Sequence, residues 1–421
     1  MHALSEQTPT LDALRREALE AFRAAPVPPR TSEAWRRSDF SRWRLDRLTE
    51  EALAAPADGA KPTLARGGAA GAFCEAVGGG RTAVELDGAV RAQGVVLETL
   101  ERAFAAHGDL VRPALARLGG PDLGKLEAAN AAGWKGGAFL YIPPGVRVER
   151  PFDLSFVHDN AGYGFPRLVV ELGDGAEATV IEDHTGCEID LAPGQAHGRV
   201  SVAFSRARLG KGARLAYFYS QGLGPDVTHF WSQRVDLEKD AELEHYSILL
   251  GGALHKSDLH VELQGAGARS NLYGLVFGCK SQVFDTCTWQ MHRAPRTQSD
   301  LLFKAALQDR GRSVYTGMIR VEKDAVGSDA YQQNNNMLLS DTARADTTPI
   351  LEILTDQVHC KHGATMGPVS AEELFYLASR GFEPKEAVKT LVMGFFEPIL
   401  CRVPLERLKA QLSDRIERRL P

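Results

Sequence analysis

Aromatic residues make up only 8% of the 421-residue chain, and its six cysteines include no Cys-x-x-Cys pair. Scattered as Cys74, Cys187, Cys279, Cys287, Cys360 and Cys401, they have no ferredoxin or zinc-finger spacing, which argues against a disulfide framework and a stable metal centre. Reduced, mostly structural thiols in a cytoplasmic protein are expected. No apolar run approaches the ~18 residues of a membrane helix. The opening MHALSEQTPTLDALRRE has no basic segment followed by an apolar core, so no secretory signal is expected. Charge of one sign is also missing. The 49 Lys+Arg against 54 Asp+Glu leave a net charge of −5, which implies no polyanion-binding surface. There is no Gly-x-x-x-x-Gly-Lys-Ser/Thr phosphate loop, no Gly-x-Ser-x-Gly elbow and no His-Glu-x-x-His helix. Any ATP dependence would therefore come from another chain.

What is present is ordinary globular material: 44% hydrophobic and 24% charged residues, with 41 glycines that imply many turns. The length suggests two to four domains, and three zones are expected, at 1–136, 137–367 and 368–421. The first reads mainly as helix. Thr10 is an N-cap candidate ahead of Leu11, Leu14, Ala18 and Phe22, a one-face stripe ended by Pro26, Pro28 and Pro29. A second helical stretch carries Trp35, Phe40, Trp43, Leu45 and Leu48. Gly67 to Gly80 reads as a flexible connector, and helical patterning returns from Val95 to Leu118.

The middle zone is mainly β. Runs such as RLVVEL, RVSVAFSRARL and DLHVEL are punctuated by one recurring turn: LGDGA from Leu172, LGKGA from Leu209, LEKDA from Leu237, LQGAGA from Leu263 and VEKDA from Val321. Their starts stand 37, 28, 26 and then 58 residues apart, the last being two units of 29. A repeated tight turn at such a period is the mark of a parallel β-helix. The competing reading is a propeller or a large sandwich, which would show cleaner Asn-Gly hairpins. The third zone returns to helix. Ser370-Ala-Glu-Glu373 has capping-box form, Gly381 and Pro384 separate two helices, and Leu405, Leu408, Leu412, Ile416 and Leu420 stripe a last one.

The densest soft-ligand group is His359-Cys360-Lys361-His362. Cys360 and His362, two residues apart on a strand, share one side, and Lys361 is expected to favour the Cys360 thiolate. Two ligands cannot complete a tetrahedral site, so others must come from elsewhere in this chain or from a partner. Other candidates read structurally. Gln332–Asn336 (QQNNN) suits an amide ladder inside a β-helix. Cys279 and Cys287 read as interior thiols, and His245, His255 and His260 as satisfied histidines without a carboxylate constellation. Arg36, Arg37, Arg42 and Arg44, interleaved with Trp35 and Trp43, read as a solvated helix face rather than a nucleic-acid surface.

The stretch from QQNNN through LFYLASRGF to FFEPIL resembles the SufB/SufD family of the Suf iron–sulfur cluster assembly system, and the Cys-x-His-Gly-Ala-Thr form at Cys360–Thr365 looks like its SufD branch. The resemblance is specific over residues 330–397. Looser agreement extends through the β zone to Glu33-Ala34-Trp35-Arg36. It implies a right-handed parallel β-helix between helical domains, acting as a non-catalytic, cytoplasmic scaffold. It also implies pairing with a SufB-like paralogue and docking of a SufC-like ABC-type ATPase on the C-terminal helices. There Glu373, Leu374, Phe375, Leu377, Arg380, Ala387, Leu391 and Phe395 are the expected contacts. The resemblance gives His362 and Cys360 as interface residues for iron or a nascent, transient iron–sulfur cluster, with His359 and Lys361 as auxiliaries. A homodimer is a further partner expectation, as is a flavin, although no flavin motif is present. Two other functions compete: a carbohydrate-active β-helix enzyme, disfavoured by few aromatics and no export signal, and a pure interaction platform.

Overall fold

The computed structural model describes residues 10–29, 31, 35–36, 48–54, 62–64, 68–116, 124–158, 162–186 and 199–420. Its centre is a two-sided solenoid in which consecutive strands alternate between two ten-stranded, largely parallel sheets. The first sheet ends with the strands Gln298–Leu307, Asp329–Leu338 and His359–Pro368, and the second ends with Val283–His292, Arg312–Val321 and Arg344–Ile353. The expected mainly β, parallel solenoid with helices at both ends is therefore what the chain forms.

The recurring turn is the reason the coil repeats. One residue of each of the first four turns takes a positive φ: Gly175 (66°), Gly212 (63°), Asp240 (56°) and Gly267 (75°); after the fifth, VEKDA, it is Gly327 (75°) that does so. Glycine enters that region without strain, and Asp tolerates it. The turns also bond to one another. Gly175 N–H donates to Lys211 O at 2.8 Å, Gly212 N–H to Lys239 O at 2.9 Å, and Asp240 N–H to Ala266 O at 3.0 Å. The alanine that closes each turn (Ala176, Ala213, Ala241, Ala268) is completely buried. The double spacing of 58 hides a turn after His292, where Arg296 supplies the positive φ at 55° and its N–H donates to Val326 O at 2.9 Å. With Ala-Pro-Arg in place of a glycine or aspartate, that turn carries no legible signal.

Both outer sheet faces are covered, as parallel sheets require. The N-terminal helices pack Leu100, Phe104, Leu126 and Trp134 on Phe139, Val169, Phe204 and Phe230 of the second sheet. Asn130 fixes that seam by donating to Pro166 O at 2.8 Å and Val202 O at 2.7 Å. The helices Pro384–Leu400 and Glu406–Glu417 set Val392, Phe396, Ile399, Leu412 and Ile416 on Phe218, Tyr246, Leu275 and Phe277 of the first sheet.

Two expectations for the first zone are corrected. The Gly67–Gly80 connector contains a fully buried strand, Gly71–Ala76, which joins the first sheet by pairing in parallel with Phe152–Val157 and antiparallel with the end strand Arg81–Leu86. The helical run from Val95 begins as the strand Val96–Thr99, and only then come the helices Leu100–Ala106 and Gly108–Ala116. The caps at Thr10 and Ser370 form, each hydroxyl accepting an N–H three residues on, from Ala13 and Glu373, at 3.2 Å. Glu33, Ala34, Arg37, Phe40, Arg42, Trp43, Arg44, Leu45, Leu118 and Cys187 lie outside the described residues.

The strand Gly71–Ala76 also buries a carboxylate. Glu75 accepts from Gly137 N–H at 2.9 Å, and burial pushes its pKa up to about 8, offset only in part by that hydrogen bond. A carboxyl whose folded pKa is raised stabilises the fold fully below its unfolded value of 4.5, and the contribution is lost as pH rises through 8. Replacing Glu75 with Gln is expected to flatten the loss of stability between those limits, measured as melting temperature against pH. An unchanged slope would overturn it.

Candidate functional site

The final rung has no rung beyond it, so one edge of His359–Pro368 and one edge of Arg344–Ile353 carry no strand partner among the described residues. This open end fixes where the Cys-x-His pair points. In register with the buried positions of the strand before it, Cys360 stacks on Ala330 and His362 on Gln332, both on the lumen side. His359 and Lys361 pair with exposed Asp329 and Tyr331, on the opposite face. The strand period thus joins Cys360 to His362 and separates both from the auxiliary pair.

The thiol's environment differs from the expectation. Cys360 is half-buried against Ile319, Val321, Ala325 and Ala330, and burial, followed by nearby Asp329, raises its pKa above the ordinary thiol value. Lys361 does not favour the thiolate, because its ammonium leaves from the other side of the strand. His362 is exposed, free to meet a ligand arriving at the end. The last turns also carry exposed apolar side chains: Val326, Tyr331, Ile353, Leu354 and Met366. Edge strands with an apolar rim are an interaction surface.

The QQNNN run lines the lumen with Gln332, Asn334 and Asn336 only, and no amide ladder forms across rungs. Their rung neighbours are Leu301, Phe303 and Ala305 on one side and His362, Ala364 and Met366 on the other. The amides bond instead within the strand, where Asn336 Nδ2 donates to Asn334 Oδ1 at 2.8 Å, and to the backbone of the rung before, where Asn334 Nδ2 donates to Phe303 O at 3.3 Å.

The C-terminal candidates divide. No residue of the helix Ala371–Ser379 is buried, and Phe375 (76% exposed), Tyr376 (56%) and Phe382 (40%) face solvent beside Glu373, Leu374, Leu377 and Arg380. Ala387, by contrast, is 1% exposed, and Phe395 packs under Lys304, whose ammonium lies 4.6 Å from its ring. Leu391 is half-buried on the same helix. Ala387 and Phe395 therefore help to hold the helix onto the solenoid.

Among the other candidates, Cys287 is buried and Cys279 half-buried. His260 does have a carboxylate, Asp258, at 3.0 Å, and stacks on Trp289. His245 and His255 are fully buried but not satisfied, since His245 Nε2 and both His255 ring nitrogens have no hydrogen-bond partner. Sequence reasoning missed their neighbours His158, His184, His229 and Glu182, which meet in the lumen. A signal existed: His158 and His184, and again His229 and His255, are 26 residues apart, one turn of the coil.

Residues 156–395 match the family described as SUF system FeS cluster assembly, SufBD core domain. Over 318 residues the chain is 30% identical to the iron-sulfur cluster assembly protein SufB of Bacillus subtilis (strain 168), covering 75% of this chain and 67% of that one. It is 28% identical over 315 residues to iron-sulfur cluster assembly SufBD family proteins of Staphylococcus epidermidis (strain ATCC 12228) and Staphylococcus aureus (strain MRSA252), covering 75% of this chain and 66% of each. The chain thus spans about two thirds of the length of these curated relatives. No described helix is long and apolar enough to cross a membrane. A match over most of the solenoid and the helix after it places this chain in the SufBD family of iron–sulfur cluster assembly proteins.

Proposed function

We propose that this chain is a SufD-type, non-catalytic scaffold subunit that joins a SufB-like solenoid through its open end and presents Cys360 and His362 to the cluster being built there. One observation carries the reading. The only Cys-x-His of the chain points to one side of the last strand, at the end of the solenoid where the last turns expose apolar side chains and strand edges have no partner among the described residues. Thiolate and imidazole suit iron in transit, and two ligands leave coordination positions for a partner. The cluster is cargo in this scheme, not a resident cofactor. The chain works in the cytoplasm, with the ATPase supplied as a separate subunit.

The ATPase docks on the helix Ala371–Ser379, because an amphipathic helix that buries nothing of its own has its apolar side chains free for a groove. Two surface variants separate the contacts. Phe375→Asp with Tyr376→Asp is expected to lose the ATPase from affinity-purified complexes and keep the paralogous solenoid. Ile353→Arg with Met366→Arg is expected to do the reverse. Co-purification unchanged by either pair, checked by native mass spectrometry, would sink the corresponding assignment.

A further inference from the structure

A cavity of about 460 Å3 lies on the outer face of the first sheet, between the strands Phe152–Val157, Glu177–Thr185 and Arg214–Gly222 and the last helix, Glu406–Glu417. That volume falls in the ~300–1,000 Å3 range of small-molecule sites. Strand parity builds its floor. Phe152, Leu154 and Phe156 are buried, so Asp153 and Ser155 turn to the outer face. Register then sets Ser155, Asp183 and Ser220 in one row across three strands, with Asp153 beside Ile181 in the next row. Over this floor the helix lays two stripes at steps of three and four. One is apolar, Leu405, Leu408 and Leu412, and the other polar, Arg407, Gln411 and Arg415.

The cations of this cavity already have partners, whereas its carboxylates are short of donors. Arg415 donates to Ser220 Oγ at 3.0 Å and reaches Asp183 Oδ2 only at 3.5 Å. Asp183 Oδ1 is sealed from water and accepts no hydrogen bond, yet the side chain as a whole is 23% exposed and lines the cavity. Arg407 is already engaged. Among the described residues no hydrogen bond or ion pair reaches Asp153, which feels the charges of Arg407 and Asp183. Burial raises the Asp153 pKa most, Arg407 pulls it back, and Asp183 pushes it further up. Asp414, also on the cavity wall, is held by Arg418 at 2.9 Å.

The group that completes such a site is a hydrogen-bond donor carrying positive charge. A metal ion is not that group, since among the described residues no three His, Cys, Asp or Glu side chains meet to hold one. An ammonium asks for less: it brings three donors and needs only acceptors, which Asp153, Asp183 and Ser155 present in adjacent positions. Arg407 and Arg415 on the opposite wall limit the ligand to one positive charge. The leucine stripe and Ile181 suit an apolar body behind it.

We propose that this cavity binds a primary aliphatic amine in its protonated form, with the ammonium between Asp153 and Asp183 and the alkyl chain over Ile181, Leu408 and Leu412. One wall is sheet and the other is helix, so an occupant ties the last helix to the solenoid. The site is independent of the open-end reading, because it uses neither Cys360 nor His362.

The test is isothermal titration calorimetry of the full chain with n-octylamine below its micellar concentration, against 1-octanol and octanoate as chain-matched controls. Expected is one equivalent of the amine, bound at least ~10-fold tighter than either control. Asp153→Asn and Asp183→Asn are each expected to weaken it at least ~10-fold. The pH sign follows from the carboxyl. Asp153 must be ionised to hold the ammonium, so affinity climbs as pH rises through its raised pKa, and Asp153→Asn flattens that climb. If Asp183→Asn fails to fold, Gln411→Trp fills the cavity from an exposed position and is expected to abolish binding. Octanoate bound as tightly as the amine, no stoichiometric uptake of the amine, or an affinity indifferent to Asp153→Asn and Gln411→Trp would each overturn the proposal.

Discussion

His362→Ala is expected to lower cluster assembly by at least ~10-fold while the complex with its partner subunits stays intact. The side chain is exposed on the last strand and stacks on Gln332 without closing any packing of its own, so its loss leaves the rim formed by Ile353, Leu354 and Met366 in place. Cys360→Ser tests the other half. The Cys360 thiol sits in a small apolar cluster that raises its pKa, so at neutral pH it is protonated and must release that proton on binding a metal. The sign follows: loading through Cys360 strengthens as pH rises from 7 toward the thiol pKa, and the serine variant loses that dependence. A His362→Ala variant that assembles clusters normally, or a pH profile identical with and without the thiol, would remove these residues from the site. Reconstitution from iron and sulfide, followed by visible absorption, reads both.

The sequence made the solenoid legible where a residue type was forced by backbone geometry. Glycine or aspartate had to recur at Gly175, Gly212, Asp240 and Gly267 because the turn takes a positive φ there, and that recurrence exposes the period. Where Arg296 takes the same conformation, a turn vanished from view. The strand Gly71–Ala76 was hidden for a different reason. Buried on both sides, it has no polar alternation, and its GAFCEA composition looks like a small-residue linker.

The open-end pair was legible because strand parity alone puts Cys360 and His362 on one side. Its electrostatics were not, since the same parity sends Lys361 away and brings burial and Asp329 to the thiol. The lumenal histidines escaped because their proximity is created by stacking. His184 and His229 lie 45 positions apart in the chain and come from opposite sheets, yet their rings are 5.0 Å apart.

The same stacking places a charge pair beneath the N-terminal domain, and removing one half of it should cost more stability than any surface change. Lys256 and Asp285 are rung partners on the outer face of the second sheet, with Nζ 2.8 Å from Oδ1 and side chains 1% and 3% exposed. Burial alone would lower the lysine pKa, but Asp285 and then Cys287 hold it above its usual value, so the ammonium persists. Its Nζ also lies 3.5 Å from Cys287 Sγ and 4.8 Å from the Trp35 ring, which stacks on Phe230. Cys287 itself is pushed up to about 12 by burial, with Lys256 pulling it back only in part, and so remains a thiol. Lys256→Met takes the ammonium away from the buried Asp285 carboxylate, at an expected cost of about 3–5 kcal/mol. Asp285→Leu takes the carboxylate away from the buried ammonium at a similar cost. The double variant is expected to recover most of the loss, because two apolar side chains of matching size need no solvation in that position. Denaturant melts of the four proteins measure the coupling directly, and Trp35 fluorescence reports whether the N-terminal segment still seats over position 256. Single variants that each cost under ~1 kcal/mol, or a double that is simply additive, would mean that the pair is solvated and that the Trp35 segment does not seal it.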